Sequence, residues 1–461
     1  MLTDTIAAIS TPPGEGGIGI VRMSGPQAKS IGLSLFCFAA RVDEPQSHRL
    51  YYGHIMDIKA GLPVDEALIS FMHAPHTYTR EDVVEINCHG GILPLARTLE
   101  LALAAGARLA QPGEFTQRAF LNGRLDLAQA EAVIHIIRAK TEAAMELGLS
   151  QLQGRLSGQI RMVRQRLLDV LAHIEASIDF PEHQDVEDLA WEKLEIEVLR
   201  CRDEVRELLA TADKGRILRE GLRTAIVGRP NVGKSSLLNS MLREQRAIVT
   251  AVPGTTRDVI EESVNIGGVA LTIIDTAGIR KTADEVEKIG VARSKEVIRN
   301  ADLVLLVIDA AVGMTDEDRE ILSAAGEKPL IIIANKTDLL GNPSTRLDEL
   351  TEKAAGHPLV AMSLLENSGL DELEDSIIRL VFQGEITGAD MPVVASLRHK
   401  DALRRTELSL EELMQGLAAG DAVDLLSIDL YTALETLGEV TGETVRGEIV
   451  EEIFKNFCIG K

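Results

Sequence analysis

The order of apolar and polar positions divides the chain into four stretches. In the first, 1–119, short apolar runs such as 17–21 and 83–87 are separated by turns rich in Gly and Pro, which predicts an α/β domain. The second, 120–220, is rich in Ala, Leu, Glu and Arg and predicts the first part of a helical domain. One apolar helix face in it is formed by Val163, Leu167, Val170, Leu171 and Ile174.

The third stretch, 221–379, alternates apolar runs with helical patterns and predicts a parallel, doubly wound sheet. The fourth, 380–461, is helical again almost to its last residues. Because a complete α/β module stands between two helical stretches, we expect it to be an insertion whose flanks pack together as one helical domain. The predicted strands of the module are 224–227, 271–274, 303–308, 330–334 and 359–362.

Composition narrows the function classes. The chain has 461 residues, enough for two or three domains, and its net charge of -23 provides no overall field that attracts nucleic acid. Any contact with RNA would therefore be a local patch or would be supplied by a partner. The four cysteines lie far apart without a CxxC pair, which argues against a zinc site or a disulfide framework. The absence of a signal-peptide pattern and of a long apolar run predicts a cytoplasmic protein without a membrane span.

The strongest chemical signal is a phosphate-binding loop. The predicted strand 224–227 runs directly into GRPNVGKS at 228–235, and a helical pattern follows. The glycines allow backbone N–H groups to turn toward an anion, Lys234 reaches the β- and γ-phosphates, and the Ser235 hydroxyl binds Mg²⁺. The residues predicted to bind the phosphates of GTP here are Asn231, Val232, Gly233, Lys234, Ser235 and Ser236.

Three further motifs follow strand ends in the expected order. The DTAG motif at 275–278 suits the Mg²⁺ shell and the γ-phosphate. In the NKTD motif at 335–338, the Asp338 carboxylate offers acceptors to guanine N1–H and to the 2-amino group, which selects GTP over ATP. Ser363 lies where a loop would close on the base. The predicted GTP-binding residues are Asp275, Thr276, Ala277, Gly278, Asn335, Lys336, Asp338 and Ser363.

The segment 250–258 lies where the first switch of a GTPase belongs. Thr256 is predicted as the second Mg²⁺ ligand, which closes on the metal when γ-phosphate is present. The GTP-binding set here is Thr250, Ala251, Val252, Pro253, Gly254, Thr255 and Thr256.

Hydrolysis requires a group that positions the attacking water. Ile279 follows the DTAG motif, where many GTPases place a glutamine, and it can neither donate nor accept a hydrogen bond. An acid from the following segment is predicted to act instead; by residue type alone Asp284, Glu285 and Glu287 are equal candidates. The Asn231 amide and carbonyl oxygens of 250 and 252 suit a K⁺ that would replace an arginine finger, although an Asn in a loop is more often a turn former.

These motifs together resemble the MnmE (TrmE) family of tRNA-modification GTPases over the whole chain. The signatures are TPPGEGG at 11–17, GEFTQRAFLNG at 113–123, GTTRD at 254–258, DTAGIR at 275–280 and FCIGK at 457–461, with the phosphate loop described above. The resemblance implies an α/β N-terminal domain that dimerises and binds folate, a helical domain, and an inserted Ras-like GTPase domain.

The resemblance also implies site residues and cofactors. Glu287 would orient the water, and two G domains would meet across a K⁺. The N-terminal domain would bind a 5-formyl- or methylene-tetrahydrofolate derivative. The K⁺ ligands would be Asn231, Thr250, Val252 and Thr255, and the folate contacts would be Arg22, Glu81, Arg124 and Lys461.

A homodimer of such a chain would form a heterotetramer with an FAD-dependent partner and modify C5 of the wobble uridine at position 34 of certain tRNAs. Cys458 is predicted either as a catalytic nucleophile or as a packing residue of the C-terminal segment. The alternative function is a GTPase switch in ribosome or RNA assembly that performs no RNA chemistry.

Overall fold

A computed structural model of the chain describes residues 3–179, 187–244, 262–274, 290–382, 392–445 and 447–461. Within these residues the chain forms two β-sheets and a helical bundle. None of the described helices combines the length and the apolarity that crossing a membrane requires.

The first sheet, called the N sheet, is mixed and has the strand order β3-β4-β5-β6-β2-β1-β7 in the described residues. The predicted runs 17–21 and 83–87 lie in β2 and β6, which confirms both. The β4–β5 hairpin was not predicted, because both strands are partly exposed and lack a clean apolar alternation. The strands are β1 (Ile6–Ile9), β2 (Gly16–Ser24), β3 (Phe36–Phe38), β4 (Arg49–Asp57), β5 (Leu62–Met72), β6 (Val83–Gly90) and β7 (Arg108–Leu109).

Three helices belong to this part of the chain. The sheet buries one apolar face against the first two, with Ile31 and Leu95 in the shared core. The third begins after Gly113, whose φ of 68° is left-handed and favours glycine. They are α1 (Ala28–Leu35), α2 (Ile92–Ala104) and α3 (Glu114–Leu121).

The helical bundle joins both flanks of the inserted module. Its core combines Leu167 and Val198 from before the insertion with Leu410 and Leu430 from after it, as expected for one helical domain interrupted by another. The predicted apolar face at 163–174 is buried in this core. The helices are α4 (Leu127–Arg138), α5 (Glu142–Leu152), α6 (Arg155–Asp179), α7 (Glu187–Ala210), α8 (Ala212–Glu220), α14 (Leu397–Ala419), α15 (Val423–Thr441) and α16 (Gly447–Lys455).

The second sheet, called the G sheet, has the order β13-β12-β11-β8-β10-β9. Its five predicted strands are present and parallel, but the sheet is mixed, because a sixth strand pairs antiparallel to β10 at the edge. The strands are β8 (Leu222–Val227), β9 (Glu262–Ile266), β10 (Val269–Ile273), β11 (Leu303–Asp309), β12 (Leu330–Asn335) and β13 (Leu359–Ala361). The helices are α9 (Lys234–Glu244), α10 (Gly290–Arg299), α11 (Asp316–Ala325), α12 (Pro343–Lys353) and α13 (Leu370–Phe382).

The G sheet and the bundle share apolar contacts. Leu147 of α5, Leu218 of α8 and Val393 belong to the same buried cluster as Leu271 of β10. The nucleotide-binding module therefore packs against the bundle. A single residue, Gly221, separates helix α8 from strand β8.

Candidate functional site: the phosphate loop and the base loop

The phosphate loop connects β8 to α9 at the carboxyl edge of the G sheet, where the chain order reverses between β8 and β11. Gly228 and Gly233 have φ of 141° and 112°, which side chains rarely adopt. A Cβ at Gly228 would lie 2.2 Å from the Val307 carbonyl oxygen, and one at Gly233 would lie 2.2 Å from Asn335 Nδ2. Both glycines are thus required by close packing as well as by backbone conformation.

Lys234 is held at the mouth of this loop. Its Nζ donates hydrogen bonds to the carbonyl oxygens of Gly228 and Arg229, at 2.7 and 2.6 Å. Burial lowers the pKa of Lys234 below the usual lysine value. An ammonium held by two neutral carbonyls at a helix N-terminus suits an anionic phosphate, because the anion would restore the solvation that burial removes.

The base loop and the phosphate loop are joined by one buried amide. Asn335 Nδ2 donates to the Val232 carbonyl at 2.8 Å, and its Oδ1 accepts from the Leu364 backbone N–H at 3.3 Å. Ser363 Oγ donates to Asp338 Oδ1 at 2.6 Å. Asn335 therefore links the two loops, and Ser363 orients the carboxylate that would read guanine.

Two acids that the sequence analysis did not single out support these loops. Asp309, at the end of β11, pairs with Lys336 Nζ at 2.7 Å. Burial acts to raise the pKa of Asp309, but the hydrogen bond from Lys336 and neighbouring N–H groups lower it below its usual value. The fully buried Asp318 of α11 accepts from Arg229 Nε at 3.1 Å and supports the phosphate loop from behind. An acid directly after a strand could have indicated Asp309, whereas no sequence signal pairs Asp318 with Arg229.

Replacing Ser363 by Ala is expected to raise the KM for GTP about 10-fold with little change in kcat. The lost hydrogen bond to a charged group contributes about 1.5–3 kcal/mol, and it acts on the base, far from the reacting phosphate. Steady-state GTPase kinetics measure both constants. Ser368→Ala is the matched control, because Ser368 is exposed and pairs with Ser363 through its backbone. A fall in kcat at unchanged KM would contradict this role.

Several predicted residues lie outside the described residues, and their roles remain predictions. They are the first-switch residues Thr250, Ala251, Val252, Pro253, Gly254, Thr255 and Thr256, the DTAG residues Asp275, Thr276, Ala277 and Gly278, and the acids Asp284, Glu285 and Glu287.

The C-terminal segment folds back onto the N sheet and contacts Arg22. The Gly460 carbonyl accepts from Ser10 Oγ at 3.1 Å and from Arg22 Nη1 at 3.5 Å. A Cβ on Gly460 would lie 2.3 Å from the Ile9 carbonyl oxygen, so only glycine allows this approach. Burial and then the charge of Arg22 lower the pKa of Lys461, so the two cations lie close enough to interact.

Arg124 contributes to a neighbouring cavity of about 440 Å³. Its guanidinium lies 4.7 Å from the centre of the Tyr78 ring and donates to the Tyr78 carbonyl at 3.0 Å. Arg22 lies over the same ring at 5.9 Å, so both arginines are close to Tyr78. The cavity is lined by His48, Met72, Pro75, His76, Thr77, Tyr78, Arg80 and Arg124.

The other two predicted residues of this region have different surroundings. Glu81 accepts from Ser24 Oγ at 2.7 Å and pairs with the buried Arg118 at 3.2 Å. Cys458 is exposed, and its carbonyl accepts from the Gly113 N–H at 3.3 Å. The backbone at Cys458 thus anchors the C-terminal segment, while its thiol faces solvent.

The phosphate loop, Lys234, and a base loop carrying Asp338 define a P-loop GTPase. The models of the MnmE helical domain and of the GTP-binding protein TrmE N-terminus match residues 127–458 and 5–124. The chain belongs to the MnmE family.

The similarity to individual relatives extends over full lengths. The tRNA modification GTPases MnmE of Geobacillus kaustophilus and Geobacillus thermodenitrificans are both 52% identical to this chain, with 99% of each chain covered. Among solved structures, a variant of Aquifex aeolicus Era bound to GDP and AlF4⁻ is 30% identical over 41% of this chain and 66% of that chain, with a TM-score of 0.27.

Proposed function

We propose that this chain hydrolyses GTP to drive modification of tRNA, acting with an FAD-dependent partner at C5 of the wobble uridine at position 34. The group installed would be of the aminomethyl or carboxymethylaminomethyl type. The single observation that carries the proposal is the match to tRNA modification GTPases over 99% of the chain, including the N sheet and the C-terminal segment. A chain that only switched between nucleotide states would not need that segment folded against Arg22.

The metal ions of the GTPase reaction are part of the proposal. Mg²⁺ would be held by Ser235 and Thr256, and K⁺ by Asn231 with Thr250, Val252 and Thr255. Asn231 is exposed within the phosphate loop at a φ of 64°, as expected both of a turn former and of an amide presented to an ion. A K⁺ held by these residues would supply positive charge to the phosphates of GTP.

The N sheet is proposed to bind the one-carbon donor, a 5-formyl- or methylene-tetrahydrofolate. Arg22, Arg124 and Lys461 suit the carboxylates of a folate, and Tyr78 offers an aromatic ring close to both arginines. Glu81 pairs with Arg118, and its carboxylate oxygens are acceptors that suit pterin N–H groups. The bound folate supplies the carbon that is transferred.

The assembly that performs this reaction would be a cytoplasmic homodimer joined through the N-terminal domains. With its partner it would form a heterotetramer, in which the partner brings FAD and much of the surface that contacts tRNA. This division suits a chain with a net charge of -23, which repels nucleic acid overall.

Mass-spectrometric nucleoside analysis of bulk tRNA from cells lacking this protein tests the proposal. Aminomethyl-type C5 uridines should vanish and should return with the wild-type chain but not with Glu287→Ala, because the water would no longer be oriented. GTP turnover should be faster in K⁺ than in Na⁺ and should fall at least 10-fold in the same variant.

Asp284→Ala and Glu285→Ala are the matched controls in that experiment, since both acids are equal to Glu287 by residue type. Restoration of the modified uridines by these two variants would assign the role to Glu287. Unchanged tRNA nucleosides together with altered ribosome profiles would instead establish the alternative, a switch in ribosome or RNA assembly.

A further inference from the structure

A second cavity lies where the bundle meets the entry to the G sheet, and we call it the junction pocket. Its volume is about 500 Å³, within the usual size of ligand sites. One wall is α4, a second is the end of α8, and a third is the end of α16. The lining residues are Glu131, Ile134, His135, Arg138, Lys140, Arg219, Glu220, Ser396, Ile453, Asn456 and Phe457.

Two cations of the junction pocket have only neutral partners within the described part of the chain. Arg138 Nη2 donates to the Asn456 carbonyl at 2.7 Å, and Lys140 Nζ donates to Ser263 Oγ at 2.9 Å. Neither forms an ion pair with a described carboxylate. Their positive charges are therefore available to an anion that enters the pocket.

Both acids that line the pocket have described partners of their own. Glu131, which is 7% exposed, pairs with Arg398 at 2.8 Å and His399 at 2.9 Å on its far side. Burial acts to raise the pKa of Glu131, but its contacts with His399 and Arg398 hold it well below its usual range. Glu220 pairs with Arg219. Neither acid is left to balance Arg138 and Lys140.

The half-buried His135 of the pocket is consistent with a positive local field. His135 Nδ1 hydrogen-bonds to Gln151 Oε1 at 3.2 Å, while Arg219 Nη1 lies 3.5 Å from its Nε2. Burial and the charge of Arg219 lower the pKa of His135 to about 4, so the ring is neutral at pH 7. An anion in the pocket would meet donors from Arg138 and Lys140, neither of which pairs with a described carboxylate, and from Arg219, which also pairs with Glu220.

We propose that the junction pocket binds a phosphate group. A planar guanidinium beside a lysine ammonium is suited to phosphate oxygens, and Ile134 and Phe457 provide an apolar wall for whatever the phosphate carries. The group could be free inorganic phosphate or a backbone phosphate of RNA; the second source rests on the tRNA function proposed above. Lys140 also contacts β9 through Ser263, so the site touches the G sheet directly.

Binding to the full-length protein saturated with GDP tests this site, because GDP occupies the phosphate loop. Inorganic phosphate is measured by equilibrium dialysis, and a short oligouridylate by fluorescence anisotropy. The double variant Arg138→Gln with Lys140→Gln keeps neutral hydrogen-bonding groups but removes both charges. It should weaken binding of the true ligand at least 10-fold and, for the oligouridylate, reduce the dependence on salt.

The matched control is Lys193→Gln with Arg200→Gln, which removes the same charge from exposed positions of α7 and should leave binding within 2-fold. The nearly isosteric Asn456→Asp adds a negative charge to the lining of the pocket and should weaken binding even if the double variant does not fold. If the variants weaken the binding of inorganic phosphate, the ligand is a free anion. If they weaken only the binding of the oligouridylate, the ligand is an RNA phosphate.

Unchanged affinity for both probes in the double variant and in Asn456→Asp would overturn the phosphate site, as would an absence of binding to the wild-type chain. The assay uses no modification activity. A failure of the tRNA proposal therefore leaves the inorganic-phosphate result standing, and the two proposals can fail separately.

Discussion

Replacing Asp338 by Asn should lower the affinity for GTP about 100-fold or more and create binding of XTP. The carboxylate offers two acceptors to the N1–H and 2-amino donors of guanine, and each charge-assisted bond contributes about 1.5–3 kcal/mol. An Asn keeps one acceptor but presents an NH₂ group to the position of the 2-amino group. Xanthine has a carbonyl there, which accepts from the NH₂ group.

Ser363 should strengthen this change of specificity from guanine to xanthine nucleotides. Its hydroxyl donates to Asp338 Oδ1, and in the variant it would donate to the amide oxygen in the same way, which directs the NH₂ group toward the base. Titration with fluorescent GDP and XDP measures both affinities. The control is Asp375→Asn on the exposed side of α13, which should change neither. Retained tight GDP binding by Asp338→Asn would contradict the assigned role.

Replacing Arg118 by Met should destabilise the N-terminal part of the chain by roughly 3–5 kcal/mol. The Arg118 side chain is fully buried and pairs with Asp4 at 2.9 Å, Glu81 at 3.2 Å and Glu114 at 3.0 Å. Met fills a similar volume but leaves a carboxylate cluster without its central cation. Differential scanning calorimetry of the full chain should show an earlier transition for this part.

The pH dependence of the stability of Arg118→Met distinguishes the effect of the lost Arg118 charge from the effect of its lost packing. Burial acts to raise the pKa of Asp4, but the hydrogen bond from Arg108 and the charge of Arg118 lower it overall. Burial also acts to raise the pKa of Glu114, but Arg108, the Gln111 N–H and Arg118 lower it below its usual value. Groups with depressed pKa stabilise the fold above their ordinary values of 3.8 and 4.5, and this stability is lost as pH falls through the folded pKa.

The gap in stability between wild type and Arg118→Met should therefore narrow below about pH 4, because the acids of the variant become neutral. Arg41→Met is the control: its guanidinium is exposed, pairs with the exposed Asp43, and should contribute within about 0.5 kcal/mol. A gap that is constant from pH 7 to pH 3 would mean that packing of Arg118, and not its charge, stabilises this region.

Sequence patterns were sufficient to predict the regions whose function depends on residues that are close together along the chain. The phosphate loop needs Gly228, Gly233 and Lys234 at fixed spacing between a strand and a helix, so the pattern identified it directly. The five parallel strands were equally predictable from the sequence, because strands buried on both faces are continuous apolar runs. The helical core at 163–174 followed from its 3.6-residue period.

Contacts between residues that are distant along the chain became visible with the three-dimensional fold. Arg229 meets Asp318, Glu81 meets Arg118, and Arg138 meets the carbonyl of Asn456, 318 positions away. No local period or spacing encodes such pairs, because they depend on how sheets and helices pack. The edge strand β9 and the junction pocket were missed for the same reason: each is defined by a neighbour that folding, and not chain order, brings into contact.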